Sequence, residues 1–195
     1  MHSTKGSKPG AARGAPERPG KVRIIAGEHR GRRIAVAGRP GLRPTPDRVR
    51  ETLFNWLGQW LDGKRCLDLF AGSGALGFEA ASRGAERVVM VENDRAVFDA
   101  LASAKAVLDA KAVELVLDDA NRYLGACRER FDVVFLDPPF RQNAVASALE
   151  RLPERLAEGA RVYVESELPV EPGAAWRELR RARAGNVSYQ LLERP

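Results

Sequence analysis

The stretch RCLDLFAGSGALGFEAASRGAERVVMVE, residues 65–92, decides the fold. It opens with an apolar run, RCLDLF, that carries one carboxylate, Asp68. A glycine-rich turn follows, then the helical pattern GALGFEAASRG closed by Gly84, then a second apolar run, RVVMVE, ending in Glu92. Strands that are apolar at nearly every position are buried on both faces. A strand that passes through a helix to a second such strand is the unit of a parallel sheet covered by helices.

The same alternation continues outward toward the C-terminus. DRAVFDALASAKAVLDA (94–110) predicts a helix, AVELVL (112–117) a strand, ANRYLGACRER (120–130) a helix and FDVVFL (131–136) a strand. NAVASALERLPERLA (143–157) then predicts a helix and ARVYVES (160–166) a fifth strand. The last twenty residues read as two strands around the Gly185–Asn186 turn. The expected class is α/β: a Rossmann-like, doubly wound, mostly parallel sheet with an antiparallel C-terminal hairpin.

On the N-terminal side, KVRIIAGEHRGRRIAVAG (21–38) predicts a hairpin whose tip carries Arg30, Arg32 and Arg33. In DRVRETLFNWLGQWL (47–61), Val49, Leu53, Trp56, Leu57 and Trp60 fall at helical spacing. Asp47 or Thr45 is placed to cap that helix, with Arg48 and Arg50 left free. Residues 1–20 contain no large apolar side chain and are expected to form a disordered basic tail. The expected division is a tail at 1–20, a hairpin-and-helix extension at 21–62 and the alternating α/β domain at 63–195.

The net charge of +6 is unevenly spread. Residues 1–50 hold 13 Lys and Arg against 3 Asp and Glu, while the rest of the chain holds 19 against 23. A field polarised in this way suits a polyanion such as nucleic acid. Cys66 and Cys127 have no CxxC spacing, so neither a disulfide framework nor a zinc site is expected. No metal is expected. No apolar run approaches the roughly 20 residues of a membrane span, and a cytoplasmic monomer is the expectation.

Three loops at the carboxyl ends of the predicted strands carry candidate chemistry, where a doubly wound sheet places its ligand. In DLFAGSGALG, Gly72 and Gly74 allow a sharp turn and close approach to a ligand; with Gly77 they satisfy a dinucleotide fingerprint, and Glu92 can hold a ribose. That ribose can belong to NAD or to S-adenosylmethionine. The first needs a diphosphate seat, the second a counter-charge for its ammonium, which Asp68 can offer unless it serves as a structural acceptor. Asp119 with the Ala120 N–H matches an adenine edge, and Asp119 is equally placed as a helix cap.

The third loop, DPPF (137–140), separates the chemistries. An exocyclic amine becomes tetrahedral and positively charged as it attacks a methyl group. The Asp137 carboxylate and the Pro138 carbonyl, stiffened by two prolines, can accept its N–H bonds and stabilise that charge. Phe140 offers a face on which a base stacks, worth roughly 1–3 kcal/mol. The plain alternative is an ordinary strand-ending turn.

Taken together, LDLFAGSGALG, VE and DPPF resemble the class I S-adenosylmethionine-dependent methyltransferases that act on exocyclic amines. RIIAGEHRGRRI, GLRPTPDRVRETLFNWL, YVESE and GNVSYQLLER resemble the RsmD family more closely, over about residues 22–194. That family comprises bacterial methyltransferases acting on N2 of guanine 966 of 16S rRNA. The resemblance implies that Asp68, Gly72 and Gly74 surround the methionine end of S-adenosylmethionine, that Glu92 holds its ribose and that Asp119 with Ala120 reads its adenine. Asp137, Pro138 and Phe140 would hold the guanine. The hairpin and the segment Arg43 to Arg50 would face RNA, as naked 16S rRNA or as a small-subunit assembly intermediate. Adenine N6 in DNA, a protein glutamine amide, a non-catalytic RNA-binding assembly factor and a nicotinamide oxidoreductase are the competing readings.

Overall fold

The structure, a computed structural model, describes residues 20–39, 42, 44–139 and 142–194, with the backbone alone of 142 and 143. The tail expected at 1–20 therefore lies outside the described residues but for Gly20. Strands β1 (Lys21–Arg23) and β2 (Arg33–Ala35) pair antiparallel and lead into helix α1 (Asp47–Leu57). The alternating part then runs β3 (Arg65–Asp68), α2 (Ala75–Ser82), β4 (Arg87–Glu92), α3 (Arg95–Leu108), β5 (Val113–Leu117), α4 (Ala120–Ala126), β6 (Phe131–Leu136) and α5 (Gln142–Arg151). A short 3-10 turn, Leu152–Arg155, precedes β7 (Leu156–Ser166), and β8 (Arg177–Ala184) and β9 (Val187–Glu193) close the chain.

The main sheet has the order β5-β4-β3-β6-β7-β9-β8. Its first five strands are parallel, and β9 pairs antiparallel with both β7 and β8. The order reverses between β3 and β6, because β4 and β5 were laid down on one side of β3 and β6 on the other. A crevice opens at such a reversal, here between the loops that follow Asp68 and Leu136.

The central strands β3, β4 and β6 are buried on both faces, as their continuous apolar runs require, whereas β5 at the sheet edge is only partly buried. Cys66, Met90, Phe135 and Tyr163 face a layer made by α1, α2, α3 and the N-terminal hairpin. Leu67, Val89, Val134 and Val162 face α4 and α5. Val22, Ile24, Ile34 and Val36 of the hairpin belong to the first layer, so the extension shares its core with the sheet. Gly77 lets α2 lie close on β4, since a Cβ there would lie 2.6 Å from the Met90 sulfur.

Three local expectations are corrected. Helix α1 stops at Leu57 because Gly58 turns left-handed (φ 97°), which leaves Trp60 59% exposed instead of on the packing face; Phe54 is buried in its stead. Neither Thr45 nor Asp47 caps α1, whose N-cap position is Pro46 with no side-chain hydrogen bond. The helix expected through 157 ends at Arg151, since Pro153 lacks the N–H that an α-helix would need, and the chain enters β7 at Leu156.

The hairpin is anchored by a buried ionic network. Glu79 of α2 accepts from the guanidinium of Arg50 (3.1 Å) and from that of Arg83 (2.8 Å), and also from the backbone N–H groups of Ile25 (2.8 Å) and Ala26 (3.1 Å). Arg83 also lies over the Phe54 ring, 4.5 Å from its centroid. Both arginines and the glutamate are buried. Removing one partner of such a set strands the others without water, at a cost of about 3–5 kcal/mol. Glu79→Ala is accordingly expected to lower unfolding free energy by about that amount, measured by urea denaturation, whereas Glu51→Ala, on the exposed face of α1, should leave it nearly unchanged.

Candidate active site

The carboxyl ends of five adjacent parallel strands collect the candidate residues. Asp68 ends β3, Glu92 ends β4, Asp119 follows β5, Asp137 follows β6, and Glu165 lies near the end of β7. In sheet order these strands are neighbours, so residues spread over about half the chain come to one rim.

Asp68 is fully buried beneath the glycine loop, and its Oδ2 accepts from the Gly77 N–H at 2.9 Å. Gly74 takes the N-cap position of α2 at φ 76°, and a Cβ there would meet the Phe78 ring at 2.6 Å. Glu92 spans the same loop: its Oε2 accepts from Gly72 N–H (3.0 Å) and its Oε1 from Asp94 N–H (2.7 Å). Asp119 caps α4 through Oδ1, which accepts from Asn121 and Arg122 N–H. Capping uses one carboxylate oxygen and leaves the other for a ligand.

The electrostatics are one-sided. Burial, with the nearby Asp137 and Glu92 charges, pushes the Asp68 carboxyl up to about 7. Burial likewise pushes Asp137 up to about 6, against the pull of a Thr45 hydrogen bond, and Glu165 up to about 8 with help from Asp137. Among the described residues no salt bridge engages Asp68, Glu92, Asp137 or Glu165, although sixteen others occur. A rim of carboxylates that no described cation pairs suits a cationic ligand. It does not suit a diphosphate, and the Gly77 N–H at the start of α2, where a phosphate would sit, is already taken by Asp68.

The arginines divide differently from expectation. Arg50, expected free and facing RNA, is 0% exposed and bonds Glu79, Asp47, Thr45 O and Arg23 O; its charge is spent inside the protein. Arg48, one residue into α1, is exposed beside the site. Arg30, Arg32 and Arg33 are exposed on the hairpin tip, but the tip is pinned to the far ends of α2 and α3. Glu28 N–H bonds Ser82 O (2.8 Å), His29 N–H bonds Ser82 Oγ (2.9 Å) and Arg32 donates to Val107 O and Leu108 O. Helices α2 and α3 each run from the carboxyl end of one strand to the amino end of the next, so the tip lies at the opposite end of the sheet from Asp137. Phe140 and Arg43 lie outside the described residues.

The match to known proteins agrees with this geometry. The family model described as conserved hypothetical protein 95 matches residues 22–193. Over 181 residues the chain is 45% identical to ribosomal RNA small subunit methyltransferase D of Escherichia coli, spanning 90% of this chain and 91% of that protein. The chain belongs to the RsmD family. A solved structure, a putative methyltransferase from Escherichia coli, superposes with a TM-score of 0.80 at 43% identity, covering 90% of this chain and 98% of that one. A putative S-adenosylmethionine-dependent methyltransferase from Streptococcus mutans, 17% identical, shares the fold with a TM-score of 0.72 over 92% of this chain and 56% of its own. The fold is thus that of the S-adenosylmethionine-dependent methyltransferases, as the glycine loop and strand pattern led one to expect. Two RsmD-family segments, LRPTPDRVRETLFN and YVESE, contain Thr45, Arg50 and Glu165, whose contacts could not be read from spacing.

The raised carboxyls set a pH dependence. Each binds its proton more tightly folded than unfolded, where carboxyls titrate near 4. The contribution of these three groups to stability therefore falls as pH rises from about 4 through the folded values of about 6 to 8. Asp68→Asn keeps an acceptor for Gly77 N–H and removes one charge. It should raise the urea midpoint of the free protein at pH 8, by about 1–3 kcal/mol in unfolding free energy, and change it little at pH 4.

Proposed function

We propose that this chain methylates the exocyclic N2 amine of a guanine, at position 966, in 16S rRNA of the small ribosomal subunit, using S-adenosylmethionine. The observation that carries the reading is the placement of Asp137–Pro138 across the β3/β6 crevice from a glycine loop lined by carboxylates that no described cation pairs, in a chain of the RsmD family. The residues fit the cofactor. Asp68 stands where the ammonium of the methionine end needs a counter-charge, Gly72 and Gly74 keep the loop close, Glu92 accepts from ribose hydroxyls, and Asp119 with Ala120 N–H meets the adenine edge. When bound, S-adenosylmethionine supplies an electrophilic methyl group on a sulfonium.

The chain's own residues then do the rest. Asp137 and the Pro138 carbonyl accept the two N–H bonds of the amine, which turns its lone pair toward the methyl group and stabilises the positive charge that develops on nitrogen. A carboxyl pushed up to about 6 is ionised at neutral pH, so Asp137 is also able to take the proton that the nitrogen sheds after transfer. Phe140 is assigned the face on which the guanine stacks. Arg48, beside the site, and Arg43 are assigned to phosphates near the target; Arg30, Arg32 and Arg33, at the opposite end, serve only RNA that wraps around the enzyme.

Mapping methylated nucleotides in 16S rRNA from cells with and without this gene tests the assignment. N2-methylguanine at position 966 should be present in the first and absent from the second, and its presence in both would refute the reading. Asp137→Ala should reduce transfer by at least about 100-fold while cofactor binding, followed by calorimetry, stays within a few-fold. Activity near wild type in that variant would remove Asp137 from the role.

A further inference from the structure

The segment that most closely marks the family, LRPTPDRVRETLFN, contains a contact to the catalytic loop itself. Thr45 Oγ1 donates to Asp137 Oδ2 at 3.1 Å, across 92 residues of sequence. Thr45 is buried, and its own backbone is held in turn: Arg50 Nε donates to Thr45 O at 3.2 Å, while Arg50 Nη1 donates to Glu79 Oε2 and Arg50 Nη2 to Arg23 O and Asp47 Oδ1. A rigid chain of bonds therefore runs from the buried Glu79 through Arg50 and Thr45 to one oxygen of Asp137.

We propose that Thr45 is a positioning residue for the transfer reaction: its hydroxyl, fixed by the Arg50–Glu79 pair, pins Asp137 Oδ2 so that Oδ1 is turned to the incoming amine. The inference rests on the role given to Asp137 in the proposed function. It reassigns this segment from meeting RNA to building the catalytic loop, with Arg48 alone of its described arginines left toward solvent. Two side chains ordered in advance reduce the rearrangement needed when the amine arrives. A hydroxyl that donates to a carboxylate also favours the charged form.

That second effect makes the contact visible in pH dependence. Among the described residues, the ionisable groups facing Asp137 are Asp68 from β3 and Tyr163 and Glu165 from β7, and all oppose its ionisation or are neutral. Tyr163 donates to Glu165 Oε2 at 2.9 Å, which ties those two to each other. From the segment before α1, Thr45 supplies the hydrogen bond that pulls Asp137 back from the effect of burial. Without it, Asp137 takes up its proton at higher pH.

The test compares Thr45→Val, isosteric but without the hydroxyl, with Thr45→Ser, which keeps it. Thr45→Val should lose roughly 10-fold in kcat, the loss of one hydrogen bond to a charged group. KM for RNA and cofactor affinity should stay within about two-fold, and the acid limb of the kcat profile should move to higher pH. Thr45→Ser should restore both. Equal loss in Val and Ser variants, or a Val variant with the wild-type limb, would overturn the inference. A titration of the Asp137 carboxyl by carbon NMR in the free protein reads the contact without turnover: the Val variant should titrate at higher pH than wild type. An unchanged titration refutes the Thr45 contact, whereas a shifted titration in an enzyme that makes no N2-methylguanine refutes the proposed function and leaves the contact standing.

Discussion

A single buried carboxylate organises this molecule. Glu79, on the second turn of α2, has no access to water and accepts from two guanidinium groups and two backbone N–H groups of the hairpin. A carboxylate in that setting is tolerated only because each lone pair finds a donor. Those donors come from three parts of the chain: the turn after β1, α1, and the end of α2. Satisfying Glu79 therefore fixes the hairpin and α1 against the sheet, and through Arg50 and Thr45 it reaches Asp137.

The ionic joint at Glu79 and the carboxyl rim differ in electrical character. Around Glu79 the acidic and basic groups are balanced, and the ionic set acts as a rigid joint. At the carboxyl rim, Asp68, Asp137 and Glu165 lie close together with no cation paired to them among the described residues, and burial above all raises their affinity for protons. Tolerating such a rim costs stability in the free protein, a frequent trade at sites built for a ligand. A bound cationic group would relieve it, so binding and stability are linked by mass action.

Much of the fold was legible because its signals are local. Apolar runs between helical patterns marked each parallel strand, and the Gly185–Asn186 turn marked the terminal hairpin. Errors arose where a single residue overruled periodicity: Gly58 ended α1 before Trp60 could pack, and Pro153 ended α5. The loop carboxylates were legible too, since each follows a buried strand. Arg50 was misread because an arginine on a helix after a basic stretch looks solvated, and nothing in its spacing reveals a buried Glu79 waiting 29 residues on.

By itself, then, the sequence determined the order of elements, the glycine loop, and the carboxylates that end each strand, because these depend on residue type and near neighbours. Only the tertiary structure decided which charges face outward and which are spent inside. Arg48 and Arg50 stand two residues apart on one helix, about 200° around its axis, and the core takes one while solvent keeps the other. It was also tertiary packing that carried the hairpin tip to the far end of the sheet and brought Thr45 to Asp137. Those contacts join residues tens of positions apart, and no local pattern encodes them.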